Sequence, residues 1–276
     1  MSAAKLEMTE KLTHRITGEG EPVVLLNGGM MTFGSWEPVA AALRDRFRLL
    51  AFDFRGQLLS PGPGPSDLAG HAADVLALLD HVGWESAHLL GTSFGAEVEL
   101  ELAAAAPGRA RSLVLVTAMD RVTPEFTAQT RAMRALVAAI LAGGDRAPFL
   151  DALVDRVYSQ EYREREKEQF ASRGARVGEL PLDWYAGTDR LLTAVADFDL
   201  TDRLHAIRAP ACVVLSRADR VMEPERSLAL AAALRAEVVE HPSSGHAIVA
   251  EEPAWLAAVC RDFLERQAEL PAERSK

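Results

Sequence analysis

Gly91-Thr92-Ser93-Phe94-Gly95 is the stretch whose reading decides the fold. It fits the pattern G-x-S-x-G, and its flanks matter as much as its letters. Residues 87–90 form a short apolar run, and residues 96–106 have helical character that stops at Pro107-Gly108. A serine at a sharp strand-to-helix turn is forced into strained dihedrals. Glycines two positions either side let neighbouring backbone approach without Cβ clashes. The hydroxyl is thereby lifted to the carboxyl end of a sheet, with the positive end of the next helix aimed at it.

Working outward, apolar runs alternate with helix-like runs. Residues 23–26, 48–52, 87–90 and 113–116 read as strands, and residues 35–46, 67–82 and 96–106 read as helices. Residues 57–65, rich in Pro and Gly, must be loop. The strand runs are continuously apolar, the pattern of parallel strands buried on both faces. Residues 124–198 break the alternation. They contain helix-like pieces at 126–141, 149–158, 161–173 and 182–196 and no convincing strand. The alternation resumes with a strand at 211–215, a helix at 224–234, a strand at 237–240 and a helix at 253–267. The expectation is an α/β core in two parts, residues 1–122 and 199–267, interrupted by a helical lid at 123–198 and followed by a polar tail at 268–276.

Over residues 22–267 the chain resembles the α/β-hydrolase fold superfamily, with a mostly parallel central sheet flanked by helices. The resemblance rests on the Ser93 motif in its strand–helix context and on two later loops. Asp219 lies in Ser216-Arg217-Ala218-Asp219-Arg220, just after the apolar run ending at Leu215. His246 lies in Ser243-Ser244-Gly245-His246-Ala247, before the last helix. Ser93, Asp219 and His246 follow the family's order of nucleophile, acid and histidine. The chemistry stands on its own. A serine hydroxyl needs an adjacent base, a histidine can take and return that proton, and a carboxylate fixes its tautomer. Asp120, after the 113–116 strand, is the competing acid. His14, His71, His81, His88, His205 and His241 sit outside Gly-rich loops at strand ends and read as surface or packing histidines.

The resemblance implies an oxyanion hole from the Phe94 backbone N–H and one further N–H in Asn27-Gly28-Gly29-Met30-Met31, supplied by Gly29 or Met30. Asn27 stands where the family commonly has histidine. Asp53-Phe54-Arg55-Gly56-Gln57-Leu58-Leu59-Ser60 is similar to a family segment that braces the site, with Leu58 replacing its second glycine. Met31, Phe33, Met119 and Val221 lie beside the site loops, and Trp184 and Tyr185 can descend from the lid. Together they describe an apolar, adaptable pocket. No cluster of Arg or Lys near these loops points to a phosphate or polycarboxylate substrate.

Composition narrows the rest. A net charge of −10 opposes nucleic acid and anionic membrane surfaces as partners. Cys212 and Cys260 read as small buried hydrophobes. No secretory leader, membrane-length apolar run, metal-ligand spacing or nucleotide loop is visible, so the expectation is a cytoplasmic bacterial enzyme without metal or cofactor. Three functions follow. The first is a hydrolase of an apolar ester, lactone or thioester through a Ser93 acyl-enzyme, with carbon–carbon bond hydrolysis as a variant. The second is an acyltransferase on the same triad, since the Asn-Gly loop is loosely similar to that of bacterial 3-hydroxyacyl transferases. The third, a non-enzymatic ligand-binding member of the fold, is disfavoured by the presence of all three triad residues.

Overall fold

Alternation of side chains explains why the strand runs are apolar throughout. In the third strand Val24 and Leu26 enter one buried cluster while Val23 and Leu25 enter another. The same division holds for Leu113 and Leu115 against Val114 and Val116, and for Val213 against Cys212 and Val214. Successive side chains point to opposite faces, so a strand with both faces covered can carry no polar alternation. The structure is a computed structural model that describes residues 6–9, 12–170 and 179–269.

Eight described strands form one sheet: β1 (Leu6–Met8), β2 (Thr13–Thr17), β3 (Glu21–Leu26), β4 (Phe47–Phe52), β5 (Ala87–Thr92), β6 (Ala110–Val116), β7 (Ala211–Ser216) and β8 (Glu237–His241). Their order is β1-β2-β4-β3-β5-β6-β7-β8. β1 pairs with β2 antiparallel, β2 with β4 antiparallel, and every later pair is parallel. The sheet is therefore mostly parallel, as expected. The antiparallel β1–β2 edge is an addition: its residues are short, mixed in polarity and partly exposed, so hydrophobic patterning does not flag them.

One face is covered by α1 (Glu37–Leu43) and the last helix, Pro253–Ala268. The other is covered by α2 (Leu68–His81) and α3 (Phe94–Ala105), together with the later helix Pro224–Leu234. Asp67 caps α2 by accepting from the Gly70 N–H at 2.7 Å, which fixes its start where the sequence places it. Both cysteines are buried thiols in the first of these faces, and burial pushes Cys212 up to about 12.

Between β6 and β7 the chain runs through α4 (Pro124–Leu141), α5 (Ala147–Val157), α6 (Gln160–Arg165) and α7 (Leu182–Ala194). The expected helix at 161–173 is shorter in its first segment, and its residues 171–173 lie outside the described residues, as do 270–276 of the expected tail. The remaining helices are α8 (Pro224–Leu234), the short α9 (Ile248–Glu251), which the sequence does not announce, and α10 (Pro253–Ala268). The inserted helices have their own apolar cluster of Met133, Val137, Ile140, Phe149, Trp184 and Tyr185. Phe149 meets Tyr185 edge-on, with ring centroids 5.7 Å apart.

Gly187 joins this cluster to the sheet domain. A Cβ there would lie 1.9 Å from the Gly56 carbonyl oxygen, so α7 rests directly on the loop after β4. Gly187→Ala is expected to cost about 1–3 kcal/mol through forced displacement of α7, read as a lower midpoint in chemical denaturation. A midpoint equal to wild type would show that α7 does not need this contact.

Candidate active site

The turn from β5 to α3 is held by close backbone approach. A Cβ on Gly95 would lie 2.3 Å from the Leu26 carbonyl oxygen and 2.5 Å from that of Asn27. A Cβ on Gly91 would lie 2.6 Å from Glu99 Oε2 and 2.7 Å from the Gly95 carbonyl oxygen. Both glycines are thus required by space. Ser93 between them has φ 51 and ψ −126, a strained region for a residue with a side chain. Its own backbone is fully engaged: Ser93 N–H donates to the Val116 carbonyl at 2.9 Å, and its carbonyl accepts from Ala96 and Glu97.

His246 and Asp219 arrive from loops far apart in the chain. His246 follows β8 and Asp219 follows β7, and Nδ1 of the histidine lies 2.8 Å from Asp219 Oδ2. The other carboxylate oxygen, Oδ1, accepts from the backbone N–H groups of Val221 at 2.7 Å and Met222 at 2.9 Å. The carboxylate is therefore fixed in rotation, and the imidazole with it. Asp120, the competing acid, is turned elsewhere. It is buried and paired with Arg226, while its own carbonyl accepts from the Leu200 N–H. Asp120 is not at His246.

Ser93 and His246 line one cavity of about 240 Å³. Gly29, Met30, Met31, Phe94 and Val221 line it too, so the structure brings these expected residues together. Met30 has φ 66, a left-handed conformation at the end of the Gly28-Gly29-Met30 corner. Among the described residues neither the Phe94 nor the Met30 backbone N–H donates to a protein acceptor. Four expected pocket residues lie elsewhere. Trp184 and Tyr185 are buried in the core of the inserted helices, because α7 turns their rings toward Phe149 and not down to the cavity. Met119 is buried in the sheet core, and Phe33 packs on the opposite face of the sheet beneath the Arg15 guanidinium.

Asp53 braces the loop that holds Met30. Its Oδ1 accepts from Phe33 N–H at 2.7 Å and from Asn27 Nδ2 at 3.3 Å, and Oδ2 accepts from Leu59 N–H at 3.4 Å. Asn27 Nδ2 also donates to the Phe52 carbonyl at 2.9 Å. The amide at position 27 thus anchors the loop from the sheet side. Arg55 is engaged with Asp74, Nε to Oδ2 at 2.8 Å. Leu58 projects into solvent, so the missing glycine creates no clash there.

Three residues near the site escape sequence reasoning. Glu97, one helical turn after Ser93, is fully buried at the cavity wall. Its Oε1 accepts from Met119 N–H at 3.1 Å, and its Oε2 has no partner. Burial holds this carboxyl well above the usual range, and the Asp219 charge adds to the effect. A Glu among apolar residues of a helix flanked by the sheet is the signal that could have found it. Glu251 of α9 joins the inserted helices to the histidine loop: Oε1 accepts from Ser159 N–H at 2.9 Å and Gly245 N–H at 3.1 Å, and Oε2 accepts from Ser159 Oγ at 2.5 Å. Arg156 of α5 lines the cavity from the insert, and no local motif announces it.

Residues 21–253 match the alpha/beta hydrolase fold family, and the chain belongs to it. It is 31% identical over 258 residues to the "Putative carbamate hydrolase RutD" of Variovorax paradoxus (strain S110), covering 90% of this chain and 93% of that one. Among solved structures it is similar to a hydrolase from Pseudomonas aeruginosa PA01, with 28% identity, TM-score 0.83 and coverage of 95% and 98% of the two chains. It is also similar to the enol-lactonase from Burkholderia xenovorans LB400, with 27% identity, TM-score 0.80 and coverage of 92% and 96%. The protein is therefore an enzyme of the hydrolase kind. Among the described residues no helix is long and apolar enough to cross a membrane, and no group of three or more His, Cys, Asp or Glu is placed to hold a metal ion.

Beneath the site, His71 lies edge-on to Phe54 and Phe94, with centroids 5.3 and 5.1 Å away, and neither ring nitrogen has a partner. Burial pushes His71 down to about 4. The folded chain keeps it neutral while the unfolded chain protonates it near 6.5. Stability is therefore complete above about pH 6.5 and is lost as pH falls toward 4. Between pH 7 and pH 4.5, wild type is expected to lose about 2 kcal/mol more than His71→Met in denaturant titrations. The buried Glu97 and Glu99 act in the opposite sense, losing stability as pH rises above about 4.5, and they cancel in that comparison because both proteins carry them. Equal losses in the two proteins would rule out the histidine as the source.

Proposed function

We propose that the protein is a serine hydrolase that cleaves a carboxylic ester or lactone with an apolar acyl part through an acyl-enzyme on Ser93. The observation that carries this reading is a rotationally fixed Asp219 carboxylate 2.8 Å from His246 Nδ1, with His246 and the strained Ser93 on one largely apolar cavity. In this scheme His246 Nε2 takes the Ser93 hydroxyl proton as Oγ attacks the substrate carbonyl. The oxygen that becomes negative is stabilised by the N–H groups of Phe94 and of Met30 or Gly29. Collapse of the intermediate breaks the bond to the leaving oxygen, which takes the proton back from the imidazolium. Water then repeats the sequence with His246 as base and releases the acid. Asp219 holds the imidazole in one tautomer and stabilises its cationic form.

The helices α4, α5 and α7 supply much of the cavity wall, which favours reading the insert as a lid over the site. The apolar wall residues Met31, Val221, Phe126, Met133 and Leu191 suit an acyl chain or a small ring. A second reading, hydrolysis of a carbamate on the same serine, is favoured by the names of the curated relatives. It differs in the group left on Ser93, a carbamoyl in place of an acyl. Transfer to an alcohol acceptor uses the same acyl-enzyme and differs only in what attacks it.

A fluorophosphonate probe is expected to label wild type at one position and to leave Ser93→Ala unlabelled. Label retained by the variant would sink the assignment. Asp219→Asn should lower kcat on 4-nitrophenyl butyrate by about four orders of magnitude with folding intact. Asp120→Asn should leave kcat within a few-fold and lower stability, because Arg226 loses its buried partner. The reverse ranking of the two variants would make Asp120 the acid.

A further inference from the structure

The cavity wall is largely apolar, and α5 brings a cationic side chain to it. Arg156 lines the same cavity as Ser93 and His246 and is half-buried there. Among the described residues it makes no hydrogen bond and no ion pair with any protein group. Most other arginines described here are engaged: Arg134 with Asp189, Arg163 with Asp155, Arg203 with Glu101, Arg217 with Glu240 and Arg226 with Asp120.

Among the described residues no nearby acid forms an ion pair with Arg156. Glu125, which attracts it from α4, accepts from Gln129 Nε2 at 3.1 Å. Asp155, its neighbour in the chain, accepts from Arg163 at 2.6 Å. Arg220, which repels it, is bonded to the backbone carbonyls of Asp155 and Tyr158. A guanidinium presents five donors in a rigid fork that matches a carboxylate. Against an apolar wall and without a hydrogen-bonding partner, that fork carries a desolvation cost that an anion entering the cavity would relieve. A second polar group lacks a partner on the same cavity: Thr188 Oγ1 of α7, with its residue fully buried.

We propose that Arg156 is the anchor for a carboxylate on the substrate, so that the enzyme's substrates are half-esters or lactones bearing a free carboxylate at the end remote from the reacting carbonyl. This rests on the Ser93 cavity being the active site. Within it, the apolar wall receives the carbon chain, Ser93 receives the carbonyl, and the charged end lies at α5. The proposal also separates substrates from simple fatty esters: those fill the apolar wall but leave the Arg156 fork unpaired, and are expected to be poorer ligands for that reason.

The test is binding to the Ser93→Ala protein, measured by calorimetry, of the monomethyl and dimethyl esters of the dicarboxylic acids from glutarate to suberate. At the best-fitting length the half-ester should bind at least about tenfold more tightly than its diester, the scale of one charge-assisted contact. Arg156→Met in the same background should erase that difference while keeping the affinity for the diester, which also reports that the variant is folded. Arg156→Lys should keep part of the preference. Equal affinity of half-ester and diester at every length, absence of half-ester binding, or a preference that survives Arg156→Met overturns the proposal. Fluorophosphonate labelling of wild type is run beside it. A protein that prefers the half-esters but does not label at Ser93 loses the nucleophile and keeps the anchor; the opposite result keeps the nucleophile and loses the anchor.

Discussion

Everything at the site depends on how closely α3 can approach the end of β3. Gly95 brings the first turn of the helix against the carbonyls of Leu26 and Asn27, leaving no room for even a methyl group. That contact fixes the angle at which α3 leaves β5, and with it the strained backbone of Ser93 and the direction of the Phe94 N–H. It also sets the distance between Phe94 and the Gly29-Met30 corner, since β3 carries that corner on its carboxyl end. One steric constraint thus places the serine and the Phe94 donor, while Asn27 and Asp53 hold the loop that carries the Gly29-Met30 corner.

The parts of the fold governed by local rules were legible in the sequence. Continuous apolar runs gave β3 to β7, the Asp67 cap gave the start of α2, and Pro107-Gly108 gave the end of α3. The three residues Ser93, Asp219 and His246 were legible because each sits on a loop whose place in the alternation is known once the strands are known. Phe33, Met119, Trp184 and Tyr185 were misplaced because neighbourhood in sequence does not say which way a side chain turns. α7 points Trp184 and Tyr185 at Phe149, and a helix whose partners are other inserted helices cannot be oriented from its own periodicity. Arg156 and Glu251 were invisible for a related reason. Each acquires its surroundings from distant segments: Glu251 from Ser159, and Arg156 from Glu125 and Arg220.

The site also carries a concentration of buried groups that would be more comfortable in water. Glu97 and Glu99 are fully buried on the helix that follows Ser93, and His71 lies without a hydrogen bond under Phe94. Burial raises the two carboxyls well above their usual range and lowers the imidazole, so each is pushed toward its neutral form.

Glu251 gives this arrangement a mechanical character. Its carboxylate accepts from Ser159, at the corner between α5 and α6, and from Gly245, the residue before His246. The neighbouring Ala247 N–H donates to the Val157 carbonyl at 3.1 Å, and Arg220 grips the same corner from the Asp219 loop. The histidine loop and the α5–α6 corner are therefore fastened to each other. A change in length between α5 and α6 will therefore be felt first as a misaligned imidazole.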